Sequence, residues 1–330
     1  MHIELLVPSL LLGRAPPGRL PALEMLLARA RQRSEAATTM ERWLLDAFGA
    51  PEGLPAGALT MLGEGGEPGD GWWLRADPVH LAQQREMLTV MPPPAIRVSR
   101  EEARAFADTL NAHFGAAFEL HPAHPERWCA RAAVEGKLEA VPPLEAAGRN
   151  ANAVLPGGDA RRWHALLNEA QMLLHGHPAN AAREARGERA VNSLWLWGAG
   201  SLPKGLRGPW QSLSAGQSLA RGLARAGGAG LDDLPRDADA WLARLPPEGR
   251  HLAVLDAMRI AHAFDDAEGW TQAVAALEAQ WIAPLLAALH TDRIHMLTLH
   301  VPDATEARSY EFARGDLRRF WRRPRPLDAA

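Results

Sequence analysis

Strand-like and helix-like segments alternate along the second half of the chain, and this alternation restricts the fold more than any other feature. Apolar runs of strand length and segments with helical spacing follow one another at residues 192–197, 216–226, 251–255, 267–289 and 294–300. Because alternating strands and helices favour parallel pairing, we predict an α/β fold with a mostly parallel sheet and helices on both faces.

The first half of the chain predicts a smaller α/β portion. Residues 2–7 form an apolar run that Pro8 stops, and residues 20–33 and 40–48 have helical spacing. Glycines and prolines crowd residues 51–71, which predicts a long exposed loop.

The best candidate for a domain boundary lies at residues 148–158, shortly after Pro142 and Pro143. It divides the chain into an N-terminal portion, residues 1–150, and a C-terminal portion, residues 151–330. A chain of 330 residues fits two such domains or one continuous domain.

Composition excludes several classes of function. With 36 Lys plus Arg against 39 Asp plus Glu, the net charge is −3, so no strong field draws the whole molecule to nucleic acid or to an anionic membrane. No run approaches the roughly 20 apolar residues of a membrane helix, and we predict a cytoplasmic protein. The single cysteine, Cys129, excludes an internal disulfide, and we expect it to be packed rather than reactive.

The densest group of polar residues follows Asp159. A helix that begins there carries an apolar stripe and, on a second face, uncharged polar side chains at four-, three- and four-residue spacing. These side chains are His164, Asn168, Gln171 and His175. Uncharged hydrogen-bonding groups in a row suit a partly buried surface. Two interpretations stay open: a structural network with the next segment, which holds Asn180 and Arg183, or a ligand surface.

His175 and His177 do not form a metal-binding pair on a helix. Each residue turns a helix by about 100°, so side chains two residues apart point roughly 200° apart. Histidine pairs that bind metal on a helix need a spacing of four. From the residues themselves we predict no metal site and no cofactor.

Two compact motifs add candidate residues. Residues 192–197 indicate a strand that runs into a glycine turn, where α/β proteins usually place ligands, and Trp197 lies there as core or as a stacking platform. Asp77, which precedes a proline, opens a turn or pairs with His80 for acid–base chemistry. The candidate ligand-binding residues are Asp77, His80, Asn168, Gln171, His175, Asn180, Arg183, Asn192 and Trp197.

The tail at residues 314–325 holds six arginines together with Phe320 and Trp321. Such a segment can contact phosphates or stack on bases. We expect instead a solvated basic helix that packs through its two aromatic side chains.

Four segments resemble the bacterial RpfE-type regulatory protein family: residues 75–81, 168–175, 177–180 and 191–200. The resemblance runs through nearly the whole chain. It implies a regulatory protein for which no reaction is agreed.

The Trp195-Leu-Trp-Gly-Ala-Gly200 run, followed by Pro203, is also similar to a segment of archaeal-type cofactor-independent phosphoglycerate mutases, in the alkaline phosphatase superfamily. That resemblance implies an alkaline-phosphatase-like core. It also implies two divalent metals, Mn or Zn, held by Asp and His at strand ends beside a Ser or Thr nucleophile.

The chain departs from the mutase pattern at the positions that carry the chemistry. The first strand ends in Val7-Pro8-Ser9 where Asp-Gly is expected, and no Asp-His pair stands near the C-terminus. Residues that follow predicted strands are the remaining candidates for metal ligands and nucleophile: Asp256, Asp265, His300, Asp303 and Ser9.

The leading hypothesis is therefore a non-catalytic or catalytically degenerate regulatory protein with a degenerate alkaline-phosphatase-like core, which binds an unknown small molecule or protein partner. One alternative is a metal-dependent phosphotransferase similar to phosphoglycerate mutase. Another is a nucleic-acid-associated protein that uses the arginine-rich tail. We expect neither nucleic acid nor a membrane to be the main partner.

Overall fold

The computed structural model describes residues 1–14, 16–84, 87–149, 157–324 and 326–327. Its strands, numbered in chain order, are β1 (His2–Leu6), β2 (Arg31–Glu35), β3 (Trp72–Gln84), β4 (Met87–Met91), β5 (Phe118–His124), β6 (Arg127–Ala132), β7 (Leu138–Glu139), β8 (Gly157–Gly158), β9 (Ser193–Ser201), β10 (Ser212–Ala215), β11 (Gly230–Asp232), β12 (Arg250–Val254), β13 (Met296–Val301) and β14 (Ala307–Ala313).

The α-helices are α1 (Pro21–Arg29), α2 (Met40–Ala47), α3 (Ala56–Gly63), α4 (Arg100–Phe114), α5 (Pro143–Ala146), α6 (Ala160–His175), α7 (Pro178–Ala185), α8 (Ser218–Gly227), α9 (Ala238–Leu242), α10 (Ala257–Ala263), α11 (Ala267–Leu277) and α12 (Ala283–His290). A π-helical turn, Glu278–Ile282, joins α11 to α12.

The described chain divides into two compact units. Unit 1 contains residues 1–50 and 205–330, and unit 2 contains residues 51–204. The boundary suggested near residue 150 therefore falls inside unit 2. The reason is that β3 and β9 pair in one sheet, from Trp72 opposite Ser201 to Val79 opposite Ser193, which ties the segments before and after residue 150 together.

Unit 1 is built on a mostly parallel sheet with the strand order β11-β10-β12-β1-β13-β14-β2. The strands from β11 to β13 pair in parallel, and β14 and β2 add an antiparallel edge. Leu6 of the central strand β1 lies opposite Val254 on one side and His300 on the other. The predicted α/β fold with a mostly parallel sheet is confirmed.

Helices cover both faces of this sheet. Ile3 and Leu5 point to one face, where they join a core formed with α1, α9, α11 and α12. On the other face α2 contacts α8, and the ring of Trp43 in α2 lies 4.7 Å from the ring of His300.

The segment from Ala267 to His290 is long and apolar enough to cross a membrane by length and composition. It is interrupted by the π-helical turn, directly before Pro284, which has no N–H to continue the hydrogen-bond ladder. Its buried side chains, among them Trp270, Val274 and Leu285, belong to the core of unit 1. These side chains are therefore already packed against protein.

Unit 2 contains an antiparallel sheet with the order β4-β3-β6-β5, and β9 pairs with the other edge of β3. The expectation that residues 192–197 join the parallel sheet is therefore wrong. A buried apolar strand has the same sequence pattern in both kinds of sheet, so the pattern does not identify its partner.

Two local expectations are also corrected. Residues 56–63 form the buried helix α3 inside the predicted loop, and Arg31–Glu35 forms β2 at the end of a predicted helix. In both cases long-range packing overrides the local pattern: α3 packs on β3, and β2 pairs with β14. The capping box that begins α4 at Ser99 is present as its sequence indicates.

The arginine-rich tail does not pack through its aromatic side chains, since Phe320 is 78% and Trp321 65% exposed. It begins with a short 3-10 helix, Arg314–Arg318. Arg319 and Arg322 instead donate hydrogen bonds to main-chain carbonyls at the end of α1. Arg325 lies outside the described residues.

The close packing of α3 on β3 predicts that Gly57→Ala destabilises the protein. A Cβ at Gly57 would lie 2.5 Å from main-chain atoms of Leu74. Overpacking of this kind lowers the free energy of unfolding by about 1–3 kcal/mol, although alanine is the better helix former. Urea denaturation measures the change. Gly176→Ala is the matched control, because a Cβ there meets no atom within 4 Å; equal stability of the two variants would contradict the packing.

Candidate functional site

The carboxyl ends of the parallel strands in unit 1 form one candidate site, because α/β sheets commonly bind ligands at this edge. Ser9 follows β1, Asp256 follows β12 and Asp303 follows β13. All three were candidates from the sequence, and the parallel pairing of β1 with its neighbours places them at one edge.

Ser9 is held in a defined turn after the central strand. Its φ of 60° places it in the left-handed region that few residues other than glycine adopt. Its carbonyl oxygen accepts a hydrogen bond of 2.9 Å from the indole Nε1 of Trp270. The main chain that leaves β1 is therefore fixed against α11.

Arg14, in the same loop, carries unsatisfied hydrogen-bond donors. Its guanidinium lies over the ring of Trp270 at 4.8 Å, and Nη1 is 3.8 Å from Oδ1 of the exposed Asp265. Nε and Nη2 are buried, and neither has a hydrogen-bond partner. Unmade bonds of this kind cost about 1–3 kcal/mol each, and a planar guanidinium matches the two oxygens of a carboxylate or phosphate. Arg14 is therefore suited to an oxyanion.

A cavity of about 180 Å³ lies beside Asp256. Asp256 occupies the N-cap position of α10, and Gln280 and Trp281 of the π-helical turn line the cavity together with Met258. π-helical turns occur frequently at functional sites. The cavity has room for a small molecule with a mainly apolar surface and one polar group.

The side chains proposed as metal ligands are engaged separately. Asp303 Oδ1 accepts hydrogen bonds from the main-chain N and the hydroxyl of Thr305. Burial alone would raise the pKa of Asp303, but these hydrogen bonds outweigh it and lower the pKa. Asp265 is 98% exposed. Within residues 1–14, 16–84, 87–149, 157–324 and 326–327, no three His, Cys, Asp or Glu side chains are grouped so that they could hold a metal.

His300 belongs to a buried hydrogen-bond network instead. Its Nε2 lies 3.0 Å from Oε2 of Glu4, and its Nδ1 lies 3.0 Å from the hydroxyl of Ser309. The other oxygen of Glu4 accepts a bond of 2.7 Å from Arg250 Nε. Glu4 is only 1% exposed. Burial alone would raise its pKa, but the bonds to His300 and Arg250 lower the pKa to about 2.

Of this network only His300 was a sequence candidate; its partners Glu4, Arg250 and Ser309 were missed, and so was Arg14. Glu4 gave a usable signal, because a carboxylate inside an otherwise apolar strand needs a partner when the strand is buried. Arg14 gave none, since one arginine in an arginine-rich chain does not stand out.

In unit 2, Asp77 and Trp197 are brought together in a buried ion-pair network. Asp77 Oδ1 accepts bonds from Arg75 and from the main-chain N of Trp128, and Oδ2 accepts a 2.7 Å bond from Trp197 Nε1. Arg75 also donates to the hydroxyl of Thr60. Asp77 lies inside β3, so the turn predicted there is wrong. This network joins β3, β6, β9 and α3. Its hydrogen bonds therefore stabilise the packing of these four elements.

Other candidates also bond to the main chain. Asn180 bonds to Leu174 and Val191, and Asn192 bonds to both main-chain groups of Leu81. Further bonds run from His80 to the carbonyl of Ala190, from Arg183 to the carbonyls of Arg189 and Arg97 and to Glu102, and from Gln171 to the hydroxyl of Ser193.

Asn168 and His175 are exposed. The polar face of α6 therefore contributes partly to a structural network, and binding of a ligand by its exposed residues stays a prediction.

Cys129 is buried, and its Sγ lies 3.5 Å from the carbonyl oxygen of Gly57. Burial raises the pKa of the thiol to about 12. The expectation of a packed, unreactive cysteine is confirmed.

Comparison with known proteins places this arrangement in context. No protein-family model matches the chain. The 2,3-bisphosphoglycerate-independent phosphoglycerate mutase of Methanosarcina barkeri is 32% identical over 111 residues, which cover 32% of this chain and 28% of that protein. The probable 2,3-bisphosphoglycerate-independent phosphoglycerate mutase of Geobacter sulfurreducens is 28% identical over 200 residues, 56% of this chain and 48% of that protein. These sequence relatives are cofactor-independent phosphoglycerate mutases.

The chain spans less than half of the length of either relative. Among solved structures, the PH0037 protein from Pyrococcus horikoshii superimposes with a TM-score of 0.61 at 14% identity, over 94% of this chain and 87% of that protein. This similarity supports the α/β fold. The resemblance to the RpfE-type family stays a prediction.

The relatives overturn the prediction that no cofactor is involved. Cofactor-independent phosphoglycerate mutases depend on Mn²⁺ or Zn²⁺, so proteins similar to this chain do use metal ions. The side chains of the described residues nevertheless do not fit a two-metal centre, because His300 is bonded to Glu4 and Ser309 while Asp303 is bonded to Thr305.

The buried carboxylate of Glu4 makes the stability of the protein depend on pH. Its pKa is lowered from 4.5 to about 2, so its contribution is complete above pH 4.5 and is lost as the pH falls toward 2. At pH 7 we expect Glu4→Gln to lower the free energy of unfolding by on the order of 3 kcal/mol. Urea denaturation from pH 7 down to pH 3 measures the difference, which should shrink with acidity. Glu248→Gln, at an exposed residue, should show no such trend.

The network around Asp77 predicts that this residue serves stability. Removing one partner of a buried ion pair lowers the free energy of unfolding by about 3–5 kcal/mol, and we expect that loss for Asp77→Ala. Asn168→Ala, on the exposed face of α6, should change stability by less than about 0.5 kcal/mol. Thermal and urea denaturation compare the two variants, and a similar small effect for both would show that the network is not structural.

Proposed function

We propose that this chain is a phosphoglycerate mutase-like protein that binds a small anionic metabolite at the carboxyl edge of its parallel sheet and has lost the mutase reaction. The observation that carries the proposal is Arg14, whose Nε and Nη2 are buried without a hydrogen-bond partner. An oxyanion that reached these two donors would satisfy both of them.

The surroundings of Arg14 support an anion rather than a cation at this position. The loop follows β1, which ends at Leu6, and it begins with Val7, Pro8 and Ser9. Trp270 fixes the loop through Ser9 and lies under the guanidinium. A stacked guanidinium loses little conformational freedom when it binds, which favours affinity.

The sequence relatives suggest the first ligands to test. They are phosphoglycerate mutases by name, and a phosphoglycerate carries both a phosphate and a carboxylate. Either group fits the fork of Arg14. Binding without turnover is also what a regulatory protein requires, in agreement with the resemblance to the RpfE-type family.

Isothermal titration with 3-phosphoglycerate and with inorganic phosphate tests the binding. We expect the wild-type protein to bind, and Arg14→Ala to weaken binding about tenfold or more, because charge-assisted hydrogen bonds contribute about 1.5–3 kcal/mol. Arg14→Lys keeps the charge but loses the fork, and it should also bind more weakly. Arg244→Ala, at an exposed residue of the same unit, should bind like the wild type.

A turnover assay tests the loss of the mutase reaction. The protein is supplied with Mn²⁺ or Zn²⁺ and with 3-phosphoglycerate, and formation of 2-phosphoglycerate is followed. We expect no conversion above background. Conversion by the wild-type protein would overturn the proposal and favour a metal-dependent phosphotransferase, the function that the sequence similarity to the mutases supports.

A further inference from the structure

A second and larger cavity lies entirely within unit 2. It has a volume of about 570 Å³, inside the range of small-molecule sites. Its walls include Trp73 of β3, Glu119 and His121 of β5, and Arg131 of β6, and Glu67 stands in the loop after α3.

The cavity exists because α3 covers only part of the sheet face. The first turn of α3 packs directly on β3, where Gly57 meets Leu74. The helix ends at Gly63. Beyond that point the neighbouring side chains Trp73, Arg131 and Glu119, which lie opposite one another in register, form the floor. Beside these side chains the loop of residues 67–71 forms a wall of the cavity.

Charged side chains of the cavity are available to bind a ligand. Arg131 is exposed, and in the described part of the chain it forms no ion pair, although Glu119 is its cross-strand neighbour. The Glu67 side chain is exposed at the wall. Asp70, which also lines the cavity, is 3.2 Å from Lys204. One guanidinium and three carboxylates therefore line the same space, and of these carboxylates Asp70 is paired with Lys204.

His121 adds an unsatisfied polar atom at the floor. Its ring lies 5.0 Å from the ring of Trp73, and Nε2 is 3.5 Å from Oε2 of Glu119. This nitrogen is buried and has no hydrogen-bond partner. A buried polar atom without a partner is uncommon and is explained when a ligand supplies the missing bond.

From this combination we propose that unit 2 binds a small zwitterion, an α-amino acid with an apolar side chain. Arg131 pairs with its carboxylate, and Glu119 and Glu67 pair with its ammonium group. Because His121 Nε2 lies 3.5 Å from Glu119 Oε2, the same ammonium group also donates the bond that this nitrogen lacks. The side chain of the amino acid lies against Trp73 and Met61, which supply the apolar wall. Because its residues all belong to unit 2, this site is independent of the anion site proposed at Arg14.

Isothermal titration with leucine and phenylalanine tests the proposal on the full chain. We expect binding to the wild-type protein that needs both charged groups, so leucinamide, which lacks the carboxylate, and 2-hydroxyisocaproate, which lacks the ammonium group, should bind at least tenfold more weakly. If neither amino acid gives heat or a thermal shift at millimolar concentration, or if the amide binds as tightly as the amino acid, the assignment is wrong.

Variants locate the site. Arg131→Gln and Glu119→Gln should each weaken amino-acid binding at least tenfold and leave the melting temperature unchanged, because Arg131 is exposed and the Glu119 side chain is 47% exposed. Arg161→Gln, at an exposed position of α6, is the matched control and should bind normally. Arg14→Ala should also bind the amino acid normally, which separates this test from that of the proposed function. Normal binding by Arg131→Gln would show that the amino acid binds elsewhere.

Discussion

A buried carboxylate on the central strand of the parallel sheet constrains much of unit 1. Glu4 is almost completely buried, and a charge in that position is tolerated only when it is paired. Arg250 and His300 provide the pairing. The bond to Glu4 also fixes the orientation of His300. Its imidazole is held between Glu4 and Ser309 and is therefore not directed toward the strand ends. His300, one of the candidate metal ligands in the sequence, thus supports the fold.

The sequence predicted the fold better than the sites. The order of strands and helices can be predicted because the hydrophobic pattern of each element depends only on residues close together in the sequence. Their alternation then indicated the parallel sheet. The insertion of unit 2 between residues 50 and 205 was not predicted, since it depends on the pairing of β3 with β9 over a long separation. The polar face of α6 was recognised as a group. Asn180 and Arg183, in the next segment, bond largely to main-chain atoms, and no sequence pattern reveals such partners.

The two proposed sites differ in what creates them. At Arg14 two guanidinium nitrogens without a hydrogen-bond partner lie at an edge where α/β proteins commonly bind ligands. In unit 2 the space arises from the length of α3, which ends before the sheet face does. Cys129 lies under the covered part of that face and is inert, whereas Arg131, two residues later on the same strand, lies on the open part. One strand therefore contributes to the core at one position and to a candidate pocket at another.

The strand β2 has a consequence for how the molecule behaves in a crowded solution. Arg31–Glu35 forms the outer strand of the unit 1 sheet, and all of its side chains are exposed. Unpaired main-chain groups on an outer strand can recruit a strand from another molecule, and charged side chains oppose such association. Arg31, Arg33 and Glu35 supply those charges, while at the opposite end β11 has only three residues. The sheet is thereby protected from growing into intermolecular aggregates at both ends.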